Sequence, residues 1–117
     1  MEMFNGNGQV FGTYIWKRDG CAQPDSAQGK PTDAGTDWDA AWHEYAVEYD
    51  GVGRVTFVFD GVPYNVVTDA AFFDVHYYMI LDTSIGSRRA GPPNGSTVFP
   101  TYHHIDSVHV AQLDRPL

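Results

Sequence analysis

The amino-acid sequence predicts an all-β protein, built as a sandwich or a barrel of antiparallel strands. Three observations lead to this prediction. Apolar and polar residues alternate with a period of two in several segments, which is typical of half-buried strands. Asp60–Gly61, a strong hairpin signal, separates two such segments, and no segment shows the apolar spacing of a long helix. Aromatic residues make up 15% of the chain and favour pleated surfaces.

Size, charge and cysteine content limit the classes of function. The chain has 117 residues, which suits one compact domain. Its formal net charge is −8, and Lys17 and Lys30 are its only lysines, so nucleic acid and anionic membrane surfaces are poor partners. Cys21 is the only cysteine, so no disulfide can form within the chain. No apolar run approaches the length of a membrane span.

The first predicted strand covers residues 9–16, which are rich in β-branched and aromatic side chains. Residues 17–40 follow, and glycine, proline and short polar residues recur through them. We expect a long polar loop without regular structure there. Loops of that length inside a domain are usually functional or mobile.

A second strand is predicted over residues 42–49, where the alternation is strict. Tyr45, Val47 and Tyr49 fall on one face, and two glutamates and an alanine fall on the other. Asp50–Gly51 then predicts a turn.

A hairpin is predicted next. Residues 55–59 form its first strand, with apolar side chains at alternate positions, and residues 62–67 form its return strand. Asp60–Gly61 connects them as a two-residue type I′ turn, in which both residues need a positive φ.

The last third of the chain adds two predicted strands around a loop. Residues 72–81 are almost continuously apolar, which is typical of a strand buried on both faces. Residues 86–97 are rich in glycine and proline and predict a second long loop. Residues 102–110 predict a final strand, with Asp106 and Val108 on one face.

Several of these segments resemble phrases of one enzyme family, in the same order. Trp42–Tyr49 resembles F-H-x-Y-A-V-E-W, and Phe57–Gly61 resembles F-Y-V-D-G. Tyr78–Gly86 resembles Y-L-I-L-N-x-A-V-G, and Phe99–Val110 resembles F-P followed by V-D-Y-V-R-V. Met1–Gly6 resembles the end of the strand E-I-D-[IF]-x-E. Together they resemble the C-terminal half of a glycoside hydrolase family sixteen domain of the laminarinase-like type.

The resemblance implies a concanavalin A-like jelly-roll β-sandwich, truncated at its N-terminus, over residues 1–117. It implies a secreted, retaining endohydrolase of β-1,3 or mixed β-1,3/1,4 glucans. Glu2 would be the catalytic acid/base, while the nucleophile glutamate and the intervening aspartate would precede Met1. Because that pair is incomplete, we expect the chain alone to be inactive. Taken by itself, Glu2 is better explained as a solvated terminal carboxylate, and it is the other phrases that favour the catalytic role.

The resemblance also suggests substrate-binding residues. Trp16 could stack on a sugar ring, although a single aromatic residue at a strand end is as readily a core residue. Asp82 and Ser84 would share a strand face and could hydrogen-bond to sugar hydroxyls, or could be ordinary surface residues.

Neither a catalytic metal nor another cofactor is expected. Adjacent His103 and His104 point to opposite faces of a strand, and His109 does not share a face with His104, so the spacing does not favour zinc. Asp106 occupies a position that carries structural calcium in some relatives, but that site needs further oxygens from the other half of the domain.

Some residues depart from the family phrases and weaken the expected affinity for substrate. These departures are Ile15, Arg88–Arg89, Asp82 and Ser107. The alternative functions are a glycan-binding sandwich module without catalysis and a fragment with no independent role. The expected partner is a β-glucan polysaccharide, and no obligate protein partner is inferred.

Overall fold

The structure, a computed structural model, confirms the all-β prediction for the residues that it describes. Those residues are 1–3, 8–16, 26–35, 40–68, 77–86 and 91–112. They contain six strands and no helix, and so no helical segment among them could cross a bilayer. The chain divides into two compact units, Met1–Ile80 and Leu81–Leu117, and every strand lies in the first.

The six strands form two antiparallel sheets of three strands each, in the orders β1-β2-β3 and β4-β5-β6. The strands are β1 (Glu2–Met3), β2 (Gln9–Trp16), β3 (Ser26–Asp33), β4 (Tyr45–Tyr49), β5 (Val55–Phe59) and β6 (Val62–Val67). In the second sheet the central strand, β5, is the most buried of the three.

Strand β2 and the β5–β6 hairpin form as the sequence predicts. The bounds of β2, β5 and β6 match the predicted ones. Asp60 has a φ of 48° and Gly61 a φ of 75°, as the predicted turn requires. All five residues of β5, the central strand of its sheet, are buried, including Thr56.

The loop prediction for residues 17–40 is wrong over Ser26–Asp33, which form β3. This strand lies at the edge of its sheet and pairs along its whole length with β2. An edge position tolerates Pro31, which has no N–H to donate. Gly29 is opposite Thr13, where a Cβ would lie only 2.7 Å from Thr13 Oγ1. Pairing with β2 therefore overrides the turn-like composition of the segment.

The strand predicted over residues 42–49 is shorter than expected and less buried. It begins at Tyr45, and Trp42 before it is 70% exposed. Tyr45 and Val47 on the predicted apolar face remain exposed, whereas Tyr49 is half-buried. Strand β4 lies at a sheet edge, so only its end near Tyr49 reaches the core.

The two strands predicted in the last third of the chain are wrong where the structure describes them. Residues 77–81 and 102–110 are exposed and pair with none of the six strands. Residues 72–76, the first half of the predicted buried strand, lie outside the described part. Gly86 and residues 91–97 contain no helix or extended strand, and Thr97 N donates to Asn94 O at 3.0 Å in a turn. Apolar composition alone does not produce a strand without a neighbouring strand to bond.

The core of the first unit lies between the two sheets. Val55, Phe57 and Val67 form its buried centre, and Val67 is fully buried. Three half-buried tyrosines pack around this centre: Tyr14, Tyr49 and Tyr64. Val10 of β2 is also fully buried. Val10 and Tyr14 share a face of β2, since residues two and four apart point the same way.

Gly12, between Val10 and Tyr14 on that face, allows the two sheets to approach each other closely. A Cβ at this position would overlap the Phe57 ring and would lie 2.7 Å from Tyr64 Oη. Asn65 Nδ2 donates a hydrogen bond of 2.9 Å to the Gly12 carbonyl. The absence of a side chain at Gly12 therefore lets one sheet contact the backbone of the other.

An irregularity in β6 brings two adjacent side chains to Gly12. Phe57 is opposite Asn65, but Val58 is opposite Pro63, so Tyr64 is an extra residue in the ladder. In a regular strand Tyr64 and Asn65 would point to opposite faces. A β-bulge redirects side chains, which explains how both reach the same position of β2.

We expect Gly12→Ala to destabilise the protein, although alanine is normally better than glycine inside a strand. The new methyl group has no space beside Phe57 and Tyr64, and overpacking of this kind costs about 1–3 kcal/mol. Urea unfolding followed by circular dichroism measures the change. Gly95→Ala is the matched control, because no atom lies within 4 Å of its added Cβ. Equal stability of the two variants would contradict the close approach at Gly12.

Candidate functional site

Glu2 and Trp16, two of the residues proposed from the sequence, lie in the first sheet but far apart. Glu2 is in β1, where it pairs with Phe11 of β2. Trp16 is the last residue of β2 and pairs with Ser26. Trp16 lies five positions after Phe11 in β2, which is about 17 Å at the usual rise per residue. The side chains of Glu2 and Trp16 lie outside the described part, so only their backbone positions are fixed.

Asp82 and Ser84 contact each other directly. Ser84 Oγ donates to Asp82 Oδ2 at 2.7 Å, and both side chains are exposed. Residues 81–86 are not a strand, so the contact joins two residues of an irregular segment and not two residues on one face of a strand. Because the Ser84 proton is donated in the hydrogen bond to Asp82, the oxygens of this pair can accept hydrogen bonds from the hydroxyls of a sugar.

A hydrogen bond also links the segment that contains Asp82 and Ser84 to the segment around His103. Thr83 Oγ1 and His103 Nδ1 are 2.9 Å apart, and His103 is exposed. Tyr102 and His104 also lie close, with ring centroids 5.9 Å apart. These contacts and the Asp82–Ser84 pair all belong to the second unit.

The described residues contain no group of three His, Cys, Asp or Glu side chains arranged to hold a metal ion. His103, His104, Asp106 and His109 are all exposed. Cys21, which the sequence left without a role, lies outside the described part.

A histidine–aspartate pair, which the sequence analysis did not anticipate, links the segment before β4 to the β5–β6 turn. Asp60 Oδ2 lies 2.8 Å from His43 Nδ1. Because a carboxylate can only accept, the His43 ring carries its proton on Nδ1. The ring also lies against Phe59, with centroids 5.1 Å apart.

The backbone of Glu44 completes this connection. Glu44 N donates to Asp60 Oδ1 at 2.9 Å, and Asp60 N donates to Glu44 O at 3.0 Å. These hydrogen bonds from the Glu44 N–H and from His43 hold the pKa of the Asp60 carboxyl below its usual range. The pairing of Tyr45 with Phe59 places Glu44 opposite Asp60. Counting residues outward from the turn between β4 and β5 would have predicted that Glu44 lies opposite Asp60.

Two buried polar atoms have no hydrogen-bond partner among the described residues. They are His43 Nε2 and Tyr64 Oη. Burial raises the pKa of the Tyr64 hydroxyl, since its ionised form would lose hydration.

Tyrosines from separate segments of the first unit come together at the margin of the core. We call Tyr14, Tyr49 and Tyr77 the tyrosine triplet. Burial and a hydrogen bond with the Tyr77 hydroxyl raise the pKa of Tyr14. The rings of Tyr49 and Tyr77 meet edge to face, with centroids 6.0 Å apart at an interplanar angle of 72°. Sequence spacing carried no signal for this cluster, because its members are distant along the chain.

We expect Asp60→Asn to lower the free energy of unfolding at neutral pH. Asparagine tolerates the positive φ, so the change mainly removes the charge that accepts from His43 and Glu44. The Asp60 side chain is 44% exposed, so the loss is about 1 kcal/mol or less. Because the Asp60 pKa is lowered in the folded state, its contribution is present above the usual carboxyl pKa and disappears as the pH falls through the folded value.

Urea unfolding of wild type and Asp60→Asn between neutral and acidic pH measures this difference. The two curves should converge in acid. Asp106→Asn, at an exposed residue of the second unit, is the control. A difference that does not change with pH would contradict the assignment of the effect to the Asp60 charge.

No family model, curated protein or solved structure matches this chain. The proposals for its function therefore depend on the residues and geometry described above, together with the phrases that resemble a glycosidase family.

Proposed function

We propose that this chain is part of a retaining β-glucan endohydrolase, a glycosidase of the family sixteen type that hydrolyses β-1,3 or mixed β-1,3/1,4 bonds. The order of the four internal phrases is the observation that carries the proposal. The first of them overlaps β4 and the second covers the end of β5 and its turn. We further propose that the two sheets belong to a jelly-roll sandwich. Their antiparallel pairing is consistent with one.

The proposed chemistry uses two carboxyl groups on opposite sides of the glycosidic bond. In retaining enzymes they are about 5–5.5 Å apart: one attacks the anomeric carbon and the other protonates the leaving oxygen. Glu2 is proposed as the acid/base. A two-residue strand next to β2 would fix its backbone position through the Glu2–Phe11 pairing. The resemblance assigns no nucleophile within these 117 residues, so we propose that they do not hydrolyse glucan alone.

Substrate binding is proposed for Asp82, Ser84 and Trp16. Asp82 and Ser84 are exposed and hydrogen-bonded to each other, and their remaining acceptor lone pairs suit the O–H donors of a sugar. The indole of Trp16 would stack on the apolar face of a sugar ring. No metal or cofactor takes part in this mechanism.

Azide can replace the absent nucleophile and thereby test the role of Glu2. With an aryl β-1,3-oligoglucoside, azide would attack the anomeric carbon and the bond to the aryl oxygen would break. Glu2 would give its proton to that oxygen, and an α-glycosyl azide and a phenol would be the products. A single displacement inverts the configuration, so the anomer identifies the route.

We expect Glu2→Gln to slow this azide reaction by about 10²–10⁴-fold when the phenol is a poor leaving group. It should have little effect with 2,4-dinitrophenol, which leaves without a proton. Chromatographic measurement of the glycosyl azide gives the rates. Glu48→Gln, at an exposed glutamate of β4, is the matched control.

Two results would count against the hydrolase. One is the absence of an azide-dependent product, and the other is equal rates for wild type and Glu2→Gln with the poor leaving group. Saturable binding of β-glucan without any azide product would favour the alternative, a non-catalytic glycan-binding module.

A further inference from the structure

Tyr77 combines an exposed ring with a fixed position. Its side chain is 60% exposed. Its hydroxyl is hydrogen-bonded to Tyr14 of β2, and its ring meets the ring of Tyr49 at the end of β4. Residues of two strands from different sheets therefore contact one solvent-facing tyrosine.

The residues that hold Tyr77 are themselves anchored. Tyr14 and Tyr49 pack against the buried cluster of Val55, Phe57 and Val67. A ring fixed in this way loses little conformational entropy when a ligand contacts it. Exposed aromatic rings of this kind favour ligands that have an apolar face and polar edges. The Tyr77 ring is therefore restricted in its motion before a ligand binds, unlike the ring of a surface tyrosine without such contacts.

The composition of the chain limits which ligand suits this ring. A net charge of −8 disfavours polyanions, including nucleic acids and sulfated or uronic polysaccharides. A neutral pyranose has an apolar C–H face for the ring and hydroxyls for the phenol oxygens of Tyr77 and Tyr14. Tyr78, the next residue, is also an exposed aromatic residue, at 85%.

We propose that Tyr77, held by Tyr14 and Tyr49, is a stacking subsite for a neutral pyranose ring of a glycan. The choice of β-glucan as its ligand rests on the proposed function. The subsite itself does not depend on Glu2, so binding and catalysis can fail separately. Its role is to hold a sugar unit through ring contact and hydroxyl hydrogen bonds.

Titration of the full chain with a β-1,3-linked glucose hexasaccharide, followed by calorimetry or NMR, tests the subsite. Tyr77→Ala should weaken binding about tenfold, as expected for the loss of one aromatic contact. Tyr77→Phe should weaken it less, because the ring remains while the hydrogen bond to Tyr14 is lost. Tyr102→Ala is the matched control: Tyr102 is also exposed, at 71%, but lies in the second unit.

The proposal is overturned if wild type shows no saturable binding, if Tyr77→Ala binds as tightly as wild type, or if Tyr102→Ala weakens binding equally. Thermal melting checks that the variants are folded, and Tyr77→Phe gives an independent measurement should the alanine variant not fold. Binding that depends on Tyr77, together with a negative azide experiment, would reject the hydrolase and keep the subsite. Formation of the glycosyl azide, together with glycan binding that is unchanged in Tyr77→Ala, would keep the hydrolase and reject the subsite.

Discussion

The close approach of the two sheets at Gly12 is the constraint on which the rest of the first unit depends. Without a side chain there, the Phe57 ring and the Tyr64 hydroxyl can lie against the backbone of β2. The hydrogen bond from Asn65 to the Gly12 carbonyl fixes the position of one sheet against the other. The bulge in β6 makes both contacts possible from neighbouring residues. The tyrosine triplet forms at the margin of this contact, because Tyr14 lies two residues beyond Gly12 on the same face of β2.

Short-range sequence patterns predicted the strands whose structure depends on neighbouring residues in the chain. Strand β2 and the β5–β6 hairpin follow from side-chain alternation and from a turn whose residues accept positive φ. Strand β3 could not be predicted this way, since pairing with β2 determines it and its own composition suits a turn. Residues 77–81 and 102–110 show the opposite error: their composition suits strands, yet they pair with none of the six strands described. Exposed apolar segments of this kind favour association.

In the candidate site, too, the sequence predicted some contacts and missed those made between distant segments. The sequence singled out Asp82 and Ser84, and their side chains do meet, although in a segment that is not a strand. It also singled out Glu2 and Trp16, which the strand register keeps well apart. It overlooked the His43–Asp60 pair, which counting residues from the turn would have found. It could not have found the tyrosine triplet, because contacts between segments distant along the chain create it. The glycosidase proposal rests on phrase order, whereas the sugar-stacking proposal rests on three-dimensional contacts.

The most direct test of the sheet contact is an NMR measurement on the isotopically labelled chain. The Gly12 Hα protons should show nuclear Overhauser effects to ring protons of Phe57 and Tyr64, since a Cβ at Gly12 would lie within 2.7 Å of Tyr64 Oη. Their chemical shifts should also be displaced by the ring current of Phe57. Gly12 Hα protons with random-coil shifts and contacts only to β1 and β3 would contradict the two-sheet arrangement.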